Sequence, residues 1–166
     1  MDEVYLFPTT ERDFDDYYAV RSDPTDVYWN GFTSPPEKES FRQGFLNRTA
    51  DARFSEPEDR RNYLIKTKDD NLTVGFIQLI RREGYIDLGY SVLQSFQGRG
   101  YATLALMQGI NLALQFSDTI CLRIRDDNYA SQRVAAKCGF IPTEKYICRT
   151  YPVVGNVKLR KYILSR

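Results

Sequence analysis

The residues best suited to chemistry stand together in one stretch, Gln97-Gly98-Arg99-Gly100-Tyr101-Ala102-Thr103. The stretch follows the alternating run Tyr85–Leu93, which predicts a strand, and opens the apolar run Tyr101–Gln115, which predicts a helix. Two glycines beside an arginine at such a junction leave backbone N–H groups uncovered at the positive end of the helix dipole. The sequence therefore predicts an anion site here, with phosphate as the expected ligand.

Three kinds of phosphate loop compete for this stretch, and their spacings separate them. A Walker loop needs Gly-Lys-Ser/Thr, a triplet that the sequence lacks. The dinucleotide fingerprint G-x-G-x-x-G/A would use Gly98 and Gly100, but Thr103 occupies its third position and the stretch lies far from the first strand. The third pattern, Q/R-x-x-G-x-G/A, is matched by Gln97, Gly100 and Ala102.

The strand before this loop has two unlike faces. Its apolar face comprises Ile86, Leu88, Tyr90 and Val92. The other face carries Asp87, Gly89 and Ser91, which are small or polar in what should be a buried sheet. Either a ligand fills the space beside this second face, or the strand lies at an edge with one solvated side.

The remaining segments predict the elements that position the loop. Strands are predicted at Val4–Pro8, Asn62–Lys68, Leu72–Arg81, Tyr85–Leu93, Thr119–Arg125, Lys145–Tyr151 and Val157–Leu164. Helices are predicted at Thr10–Arg21, Ser34–Arg48, Tyr101–Gln115 and Asn128–Cys138. The order predicts an α/β protein of α+β type, with a mixed sheet of about seven strands flanked by about four helices. No linker or repeat divides the chain, so residues 1–166 should form one domain.

Two features of the helix prediction depend on turn chemistry. We expect Asp23-Pro24 to end the first helix and residues 28–32 to be irregular. The segment Ser34-Pro35-Pro36-Glu37 should start the second helix, with Ser34 as its cap.

Charge and hydropathy exclude several classes of partner. The formal net charge is +1, so no strong field favours nucleic acid or an anionic membrane surface. No apolar run reaches the roughly 18–20 residues of a membrane helix, and Asp2 and Glu3 replace the basic start of a signal peptide. The cysteines, Cys121, Cys138 and Cys148, are an odd number among apolar neighbours and should be reduced. These features predict a cytoplasmic protein.

The chain contains no histidine, which limits its chemistry. Histidine-based triads and the common zinc sites are excluded, and we expect no metal. Protons must then be moved by carboxylates, tyrosines or water.

Two blocks of sequence resemble one family. The block DLGYSVLQSFQGRGYATLAL resembles the strand, acetyl-coenzyme A loop and helix of the GNAT superfamily of N-acetyltransferases. The block LRIRDDNYASQRVAAKCGF resembles its second signature, a strand followed by an asparagine-led helix that ends in Gly-Phe. The resemblance covers Asp87–Phe140, while the N-terminal third matches only in predicted architecture. The Asn-x-x-Ser start, with no tyrosine in the helix, is most similar to the ribosomal-protein alanine acetyltransferase-like branch.

The resemblance implies a GNAT fold and acetyl-coenzyme A as co-substrate. The backbone of Val92 and Leu93 would pair with the pantetheine arm, and one of their N–H groups would hold the oxyanion. The pyrophosphate would contact the backbone N–H groups of Gln97, Gly98, Arg99, Gly100, Tyr101 and Ala102. Thr103 would add a hydroxyl group. Arg99 would pair with a phosphate or be solvated. Asn128 would bind the pantetheine, cap its helix, or do both.

The resemblance also implies where catalysis occurs. Ala135 stands where many members have a tyrosine that protonates the leaving thiolate, and Ser131 matches the serine used instead in the branch named above. Ser131 is therefore either the donor to the sulfur or a first-turn serine. An attacking amine must be neutral, so a base is needed. Asp87 matches the position of a catalytic glutamate and would act through water, or else be a solvated or substrate-orienting carboxylate; Glu144 is the second candidate for the base.

The acceptor is the least constrained part of the prediction. One wall of its site is expected at Tyr28, Trp29 and Phe32, with Tyr146 or Tyr151 opposite; the alternative is that these aromatic residues belong to the core. The acceptor is expected to be a primary amine, on a protein N-terminus or a small molecule, attacked without a covalent enzyme intermediate. A non-catalytic acyl-coenzyme A-binding or regulatory module is the alternative, and the missing lysine disfavours a nucleotide-phosphate site. The protein would be a monomer or a homodimer.

Overall fold

The computed structural model describes residues 3–166 and builds one sheet from seven strands. The strands are β1 (Val4–Pro8), β2 (Arg60–Thr67), β3 (Thr73–Arg82), β4 (Tyr85–Val92), β5 (Thr119–Arg125), β6 (Ile141–Tyr151) and β7 (Gly155–Ser165). The α-helices are α1 (Phe14–Arg21), α2 (Pro24–Trp29), α3 (Lys38–Leu46), α4 (Tyr101–Ala113) and α5 (Tyr129–Lys137). Short 3₁₀ turns at Glu11–Asp13 and Gln94–Phe96 precede α1 and the loop before α4. The prediction of a mixed α/β fold is confirmed.

Strand order explains where a cleft can open. The strands lie in the order β1-β2-β3-β4-β5-β7-β6, and β4 and β5 are its parallel neighbours. These two strands pair only at Ile86↔Ile120 and Asp87↔Cys121. Beyond that point β4 remains paired with β3 as far as Val92. The carboxyl ends of β4 and β5 therefore separate, and their facing backbone groups border a gap in the sheet.

Apolar side chains pack on both faces of the sheet. On one face α4 and α5 bury residues such as Leu106 and Ala135 against Ile77 and Leu88. On the other face α1 and α3 bury Phe14, Tyr17 and Phe45 against Leu64 and Phe76. Side chains of consecutive strand residues point to opposite faces, which is why Leu64 and Ile65 belong to different cores.

The N-terminal third departs from the prediction in two places. Asp23-Pro24 ends α1 but also starts α2, because the Asp23 side chain accepts from the Thr25 N–H at 2.9 Å and Pro24 occupies the first turn. Residues 28 and 29 are therefore helical, and residues 3–166 contain five α-helices where about four were expected. The Ser34 cap is also wrong: the Glu37 carboxylate accepts from the N–H groups of Glu39 and Ser40, so α3 starts at Lys38.

Candidate active site

The loop after β4 is tied to the strand that precedes it. The Gln97 side-chain amide donates to the Val92 carbonyl at 3.0 Å, which folds the loop back on the strand end. Gly98 and Gly100 have φ values of +77° and +83°, a conformation that favours glycine. Gly100 is the N-cap of α4 and supplies no side-chain cap to its first turn. The backbone N–H groups at the start of α4 are therefore not capped by a side chain of Gly100, and they point towards an anion placed at the positive end of the helix.

Strand alternation decides which backbone groups face the gap. The Leu93 N–H donates to the Val74 carbonyl on β3 at 2.9 Å. Because consecutive strand residues direct their backbone polar groups to opposite edges, the Val92 N–H is directed to the β5 side. Of the two residues expected to meet the pantetheine arm, Val92 is the one whose N–H borders the gap.

A cavity of about 430 Å³, here called the donor cavity, lies beside this loop. Eight of the ten residues predicted to bind the coenzyme line it: Val92, Gln97, Gly98, Gly100, Tyr101, Ala102, Thr103 and Asn128. Leu93 instead packs against the core formed by α1 and α3. The Arg99 guanidinium lies over the Phe96 ring, 5.3 Å from its centroid, outside the cavity.

Two cations that the sequence prediction missed also line the donor cavity. Arg133 and Lys137 lie four residues apart on α5, so they share one helix face. Both are exposed, and both line the same cavity as the start of α4. Their i, i+4 spacing on a predicted helix was the available signal. Together with the first turn of α4, they can hold a diphosphate between two positive surfaces.

A second cavity, also about 430 Å³ and here called the acceptor cavity, lies on the other side of the cleft. Six residues line both cavities and define the junction between them: Asp26, Trp29, Asn30, Tyr90, Asn128 and Ser131. The first three come from α2 and its end, and the others from β4 and the start of α5. A group held in one cavity can therefore meet a group held in the other at this junction.

Two hydroxyl groups meet on the β4–α5 side of the junction. Tyr90 Oη and Ser131 Oγ are 2.8 Å apart, and the Asn128 Oδ1 accepts from the Ser131 N–H at 3.1 Å. Burial raises the pKa of Tyr90 to about 12, so its hydroxyl is protonated at neutral pH. Ala135, at the position of the family tyrosine, is fully buried in the core. The junction therefore does contain a tyrosine, Tyr90, but this residue belongs to strand β4 and not to helix α5.

The other side of the junction holds a buried carboxylate. Asp26 is 2% exposed, and its burial raises its pKa to about 6. The Arg21 Nε, 3.3 Å from Asp26 Oδ2, offsets part of this rise. A carboxylate with this pKa is largely ionised at neutral pH and still able to accept a proton. The sequence prediction missed Asp26, because nothing local marks an aspartate in a six-residue helix as buried.

Asp87 lies on the acceptor side only. Its Oδ2 accepts from Arg82 Nε and pairs with Arg123 Nη2, both at 2.9 Å, while its Oδ1 is buried without a partner. It lines the acceptor cavity but not the junction. Glu144 is exposed on β6 and lines neither cavity.

The expected aromatic wall is present in part. Trp29 lines both cavities, while Phe32 and Tyr151 line the acceptor cavity. Tyr28 lines neither cavity and packs edge-on against Trp29 with ring centroids 4.9 Å apart. Tyr146, expected on the opposite wall, instead contacts Arg160 and lines neither cavity.

Arg125, the last residue of β5, contacts the Tyr28 and Trp29 end of the aromatic wall. It is 3% exposed and makes a bidentate pair with Asp127 at 3.0 and 2.7 Å. Its guanidinium also donates to the Tyr28 carbonyl at 3.3 Å and lies 4.6 Å from the Trp29 ring centroid. The position of α2 over the cleft, and with it that of Asp26, therefore depends on Arg125.

Comparison with known sequences identifies the family. Residues 3–141 match the family described as an acetyltransferase (GNAT) domain. The chain belongs to the GNAT acetyltransferase family. No curated protein sequence matches it. The predictions of an acetyl-coenzyme A-dependent N-acetyltransferase and of its fold are confirmed. No helix within residues 3–166 has the length and apolar character needed to span a membrane.

Solved structures share this fold at low sequence identity. A GNAT acetyltransferase from Bacillus anthracis is 17% identical with a TM-score of 0.78, covering 99% of this chain and 95% of its own. Spermidine N-acetyltransferase from Vibrio cholerae, solved with CoA and spermine, is 12% identical with a TM-score of 0.77, covering 98% and 95%. AAC(6')-Ib, solved with ribostamycin and coenzyme A, is 17% identical with a TM-score of 0.76, covering 99% and 94%.

Replacing Gly100 by valine should abolish acetyl-coenzyme A binding. A β-branched side chain is strained at φ +83° and would fill the open space beside the loop, since no atom lies within 4 Å of a Cβ built there. Gly84→Val is the matched control, with φ +80° and equally open surroundings in the turn between β3 and β4. Calorimetry should show at least a 100-fold weaker Kd for Gly100→Val alone. Equal loss in both variants would contradict a phosphate-binding role for this loop.

Asp26 should make stability fall as pH rises. Its pKa in the folded state is about 6 against an ordinary value of 3.8, so the folded state binds the proton more tightly. The contribution is full below about pH 4 and is lost as pH rises through about 6, a difference of about 3 kcal/mol. Urea unfolding of Asp26→Asn and the parent should therefore show a gap in unfolding free energy that grows by most of this amount between pH 4 and 7. Parallel profiles would mean that Asp26 titrates normally.

Proposed function

We propose that this protein transfers an acetyl group from acetyl-coenzyme A to the primary amine of a small molecule, by direct attack without a covalent enzyme intermediate. The observation that carries the proposal is the meeting of two cavities of similar volume at a junction that holds a buried carboxylate and a pair of hydroxyls. Donor and acceptor can then occupy separate cavities and react where these meet.

On the donor side, this chain's residues would bind and orient the coenzyme, which supplies the activated acetyl group. The first turn of α4, together with Arg133 and Lys137, would hold the diphosphate. Asn128 keeps its side-chain amide N–H groups as donors after Oδ1 has capped α5. The Val92 N–H, directed into the gap, would stabilise negative charge on the carbonyl oxygen during attack.

Asp26 is the base that we favour. It lines both cavities, so it can reach an amine placed at the junction, and its pKa of about 6 suits proton acceptance near neutral pH. Asp87, the base predicted from the sequence, is engaged by two guanidinium groups farther from the donor cavity. We assign it to orienting the acceptor, since it lines the acceptor cavity and not the junction.

Ser131 and Tyr90 would act together on the leaving sulfur. A hydrogen bond at 2.8 Å joins their hydroxyls, and both side chains line the junction. One hydroxyl can donate to the developing thiolate while the other orients it. Tyr90, whose pKa burial raises to about 12, is protonated at neutral pH and can be the hydrogen-bond donor of the pair.

Three finer assignments complete the proposal. The Asn128-x-x-Ser131 start of α5, with Ala135 in place of the family tyrosine, supports the ribosomal-protein alanine acetyltransferase-like branch. Three free cysteines support a cytoplasmic location. Neither nucleic acid nor membrane is part of the proposed activity, and the protein is a monomer or a homodimer.

Thiol release from acetyl-coenzyme A, followed with a panel of amines, tests the activity and its base together. Asp26→Asn should lower kcat/KM at least 100-fold and remove the rise of kcat/KM with pH through about 6, because the neutral amide cannot accept the proton. Asp87→Asn should mainly raise the KM for the amine. Calorimetry should give both variants the parent's Kd for acetyl-coenzyme A.

The reverse pattern, with kcat lost in Asp87→Asn and kept in Asp26→Asn, would make Asp87 the base. If acetyl-coenzyme A binds but no amine releases thiol, the protein is the non-catalytic coenzyme-binding module.

The hydroxyl pair predicts a non-additive pair of substitutions. Tyr90→Phe and Ser131→Ala should each lower kcat about tenfold or more, and the double variant should be no slower than the slower single variant, because the two groups act as one unit. Tyr146→Phe, outside both cavities, is the control and should leave kcat unchanged. Independent, multiplying effects, or effects confined to the KM for acetyl-coenzyme A, would contradict the shared role.

A further inference from the structure

The acceptor cavity has an unusual concentration of arginine. Seven arginines from six separate parts of the chain line it: Arg21, Arg48, Arg60, Arg82, Arg123, Arg125 and Arg149. The carboxylates in the same lining are Asp26 and Asp87. The protein as a whole carries a formal net charge of +1, so this concentration is local.

Ion pairs neutralise some of these arginines and leave others without a partner. Asp26 pairs with Arg21, and Asp87 pairs with both Arg82 and Arg123. Two carboxylates outside the lining, Glu58 and Asp127, pair with Arg82 and Arg125. Seven arginines thus meet four carboxylates, an excess of three positive charges.

The excess lies on Arg48, Arg60 and Arg149. Among the carboxylates of residues 3–166, none forms an ion pair with these three guanidinium groups. Arg60 is half-buried at the start of β2, and its pKa is lowered by burial and by repulsion from Arg48 and Arg82. Like charges held together at a partly buried site are unfavourable unless an anion joins them.

The geometry points to an acceptor that carries an anionic group: a small primary amine bearing a carboxylate, phosphate or phosphonate, bound by the unpaired arginines of this cavity. The inference rests on the proposed acetyl transfer and names its substrate class. A planar guanidinium pairs with the oxygens of either kind of anion, often through two hydrogen bonds. The same charge excess disfavours polycationic amines.

The remaining lining fits an acceptor of limited size. Apolar side chains from the sheet, including Phe76, Ile80 and Leu122, line the cavity between the arginines. Its volume of about 430 Å³ lies within the usual range for small-molecule sites. With the anion held near Arg48 and Arg60 and the amine at Asp26, the carboxylate and the arginines would orient the acceptor by its two ends.

Matched amines test this inference, with thiol release as the activity readout. Phosphoethanolamine is compared with ethanolamine, γ-aminobutyrate with its amide, and spermidine serves as the polycation. We expect the acidic member of at least one pair to have a kcat/KM at least tenfold above its neutral partner and above spermidine. The phosphate and carboxylate pairs show which kind of anion the arginines prefer.

An arginine variant links the preference to the cavity. Arg60→Gln should raise the KM for the acidic amine at least tenfold and leave the neutral partner within twofold, whereas Arg12→Gln, an exposed arginine outside the cavity, should change neither. Arg48→Gln repeats the test at the other arginine assigned to the anion if Arg60→Gln folds poorly. A neutral or cationic preference, or equal effects on both partners, would overturn the anionic acceptor while acetyl transfer stands.

Calorimetry on the coenzyme A-saturated protein separates failure of this inference from failure of the proposed function. If no amine releases thiol, acetyl transfer fails, and binding of phosphoethanolamine or γ-aminobutyrate without binding of the neutral partner still supports the anion site. Absence of binding by both acidic probes would overturn it.

Discussion

The separation of β4 from β5 is the constraint on which the site depends. Two paired positions hold the strands together, and beyond them the facing backbone groups have no strand to bond. A gap of this kind leaves polar groups unsatisfied, which is tolerable only where a ligand or water meets them. The loop that starts α4 and the cap that starts α5 stand at the same end of the sheet. The unpaired end of β4 and the starts of α4 and α5 therefore border the same space, in which a ligand can bind.

Helix α2 covers this space, and its position depends on a contact between distant parts of the chain. Arg125, at the end of β5, meets the Tyr28 carbonyl, 97 residues earlier in the sequence. This contact and the stacking on Trp29 hold α2 over the cleft. Asp26 lies in the same helix and loses its solvent as a result. The raised pKa of Asp26 thus follows from the helix that divides the donor from the acceptor cavity, and it costs stability that the apolar cores must supply.

The predictions succeeded where the signals are local and failed where they are not. Loop, cap and alternation motifs between Tyr85 and Phe140 act within a few residues, so strand, glycine turn and helix start could all be placed from the sequence. Ser34 failed as a cap because Glu37 offers a competing carboxylate three residues later. Asp26 and Tyr90 were missed as functional groups because their environment is made by packing against other elements. Asp87 was placed correctly on the polar face, but its two arginine partners come from β3 and β5.

Charge in the acceptor cavity links binding to chemistry. A protonated amine is disfavoured beside an excess of positive charge, since neighbouring cations lower the pKa of an ammonium group. Such a cavity favours the neutral form of the amine, which is the form that attacks a thioester. The base then has to remove a proton from a smaller fraction of the bound amine. It would also repel the acceptor as a whole, unless another group on that molecule attracts it. An anionic group on the acceptor supplies this attraction, so the arginines that favour binding at one end of the molecule favour deprotonation at the other. Asp26, paired with Arg21 at the junction, then receives the proton where a carboxylate opposes the positive field beside the donor cavity.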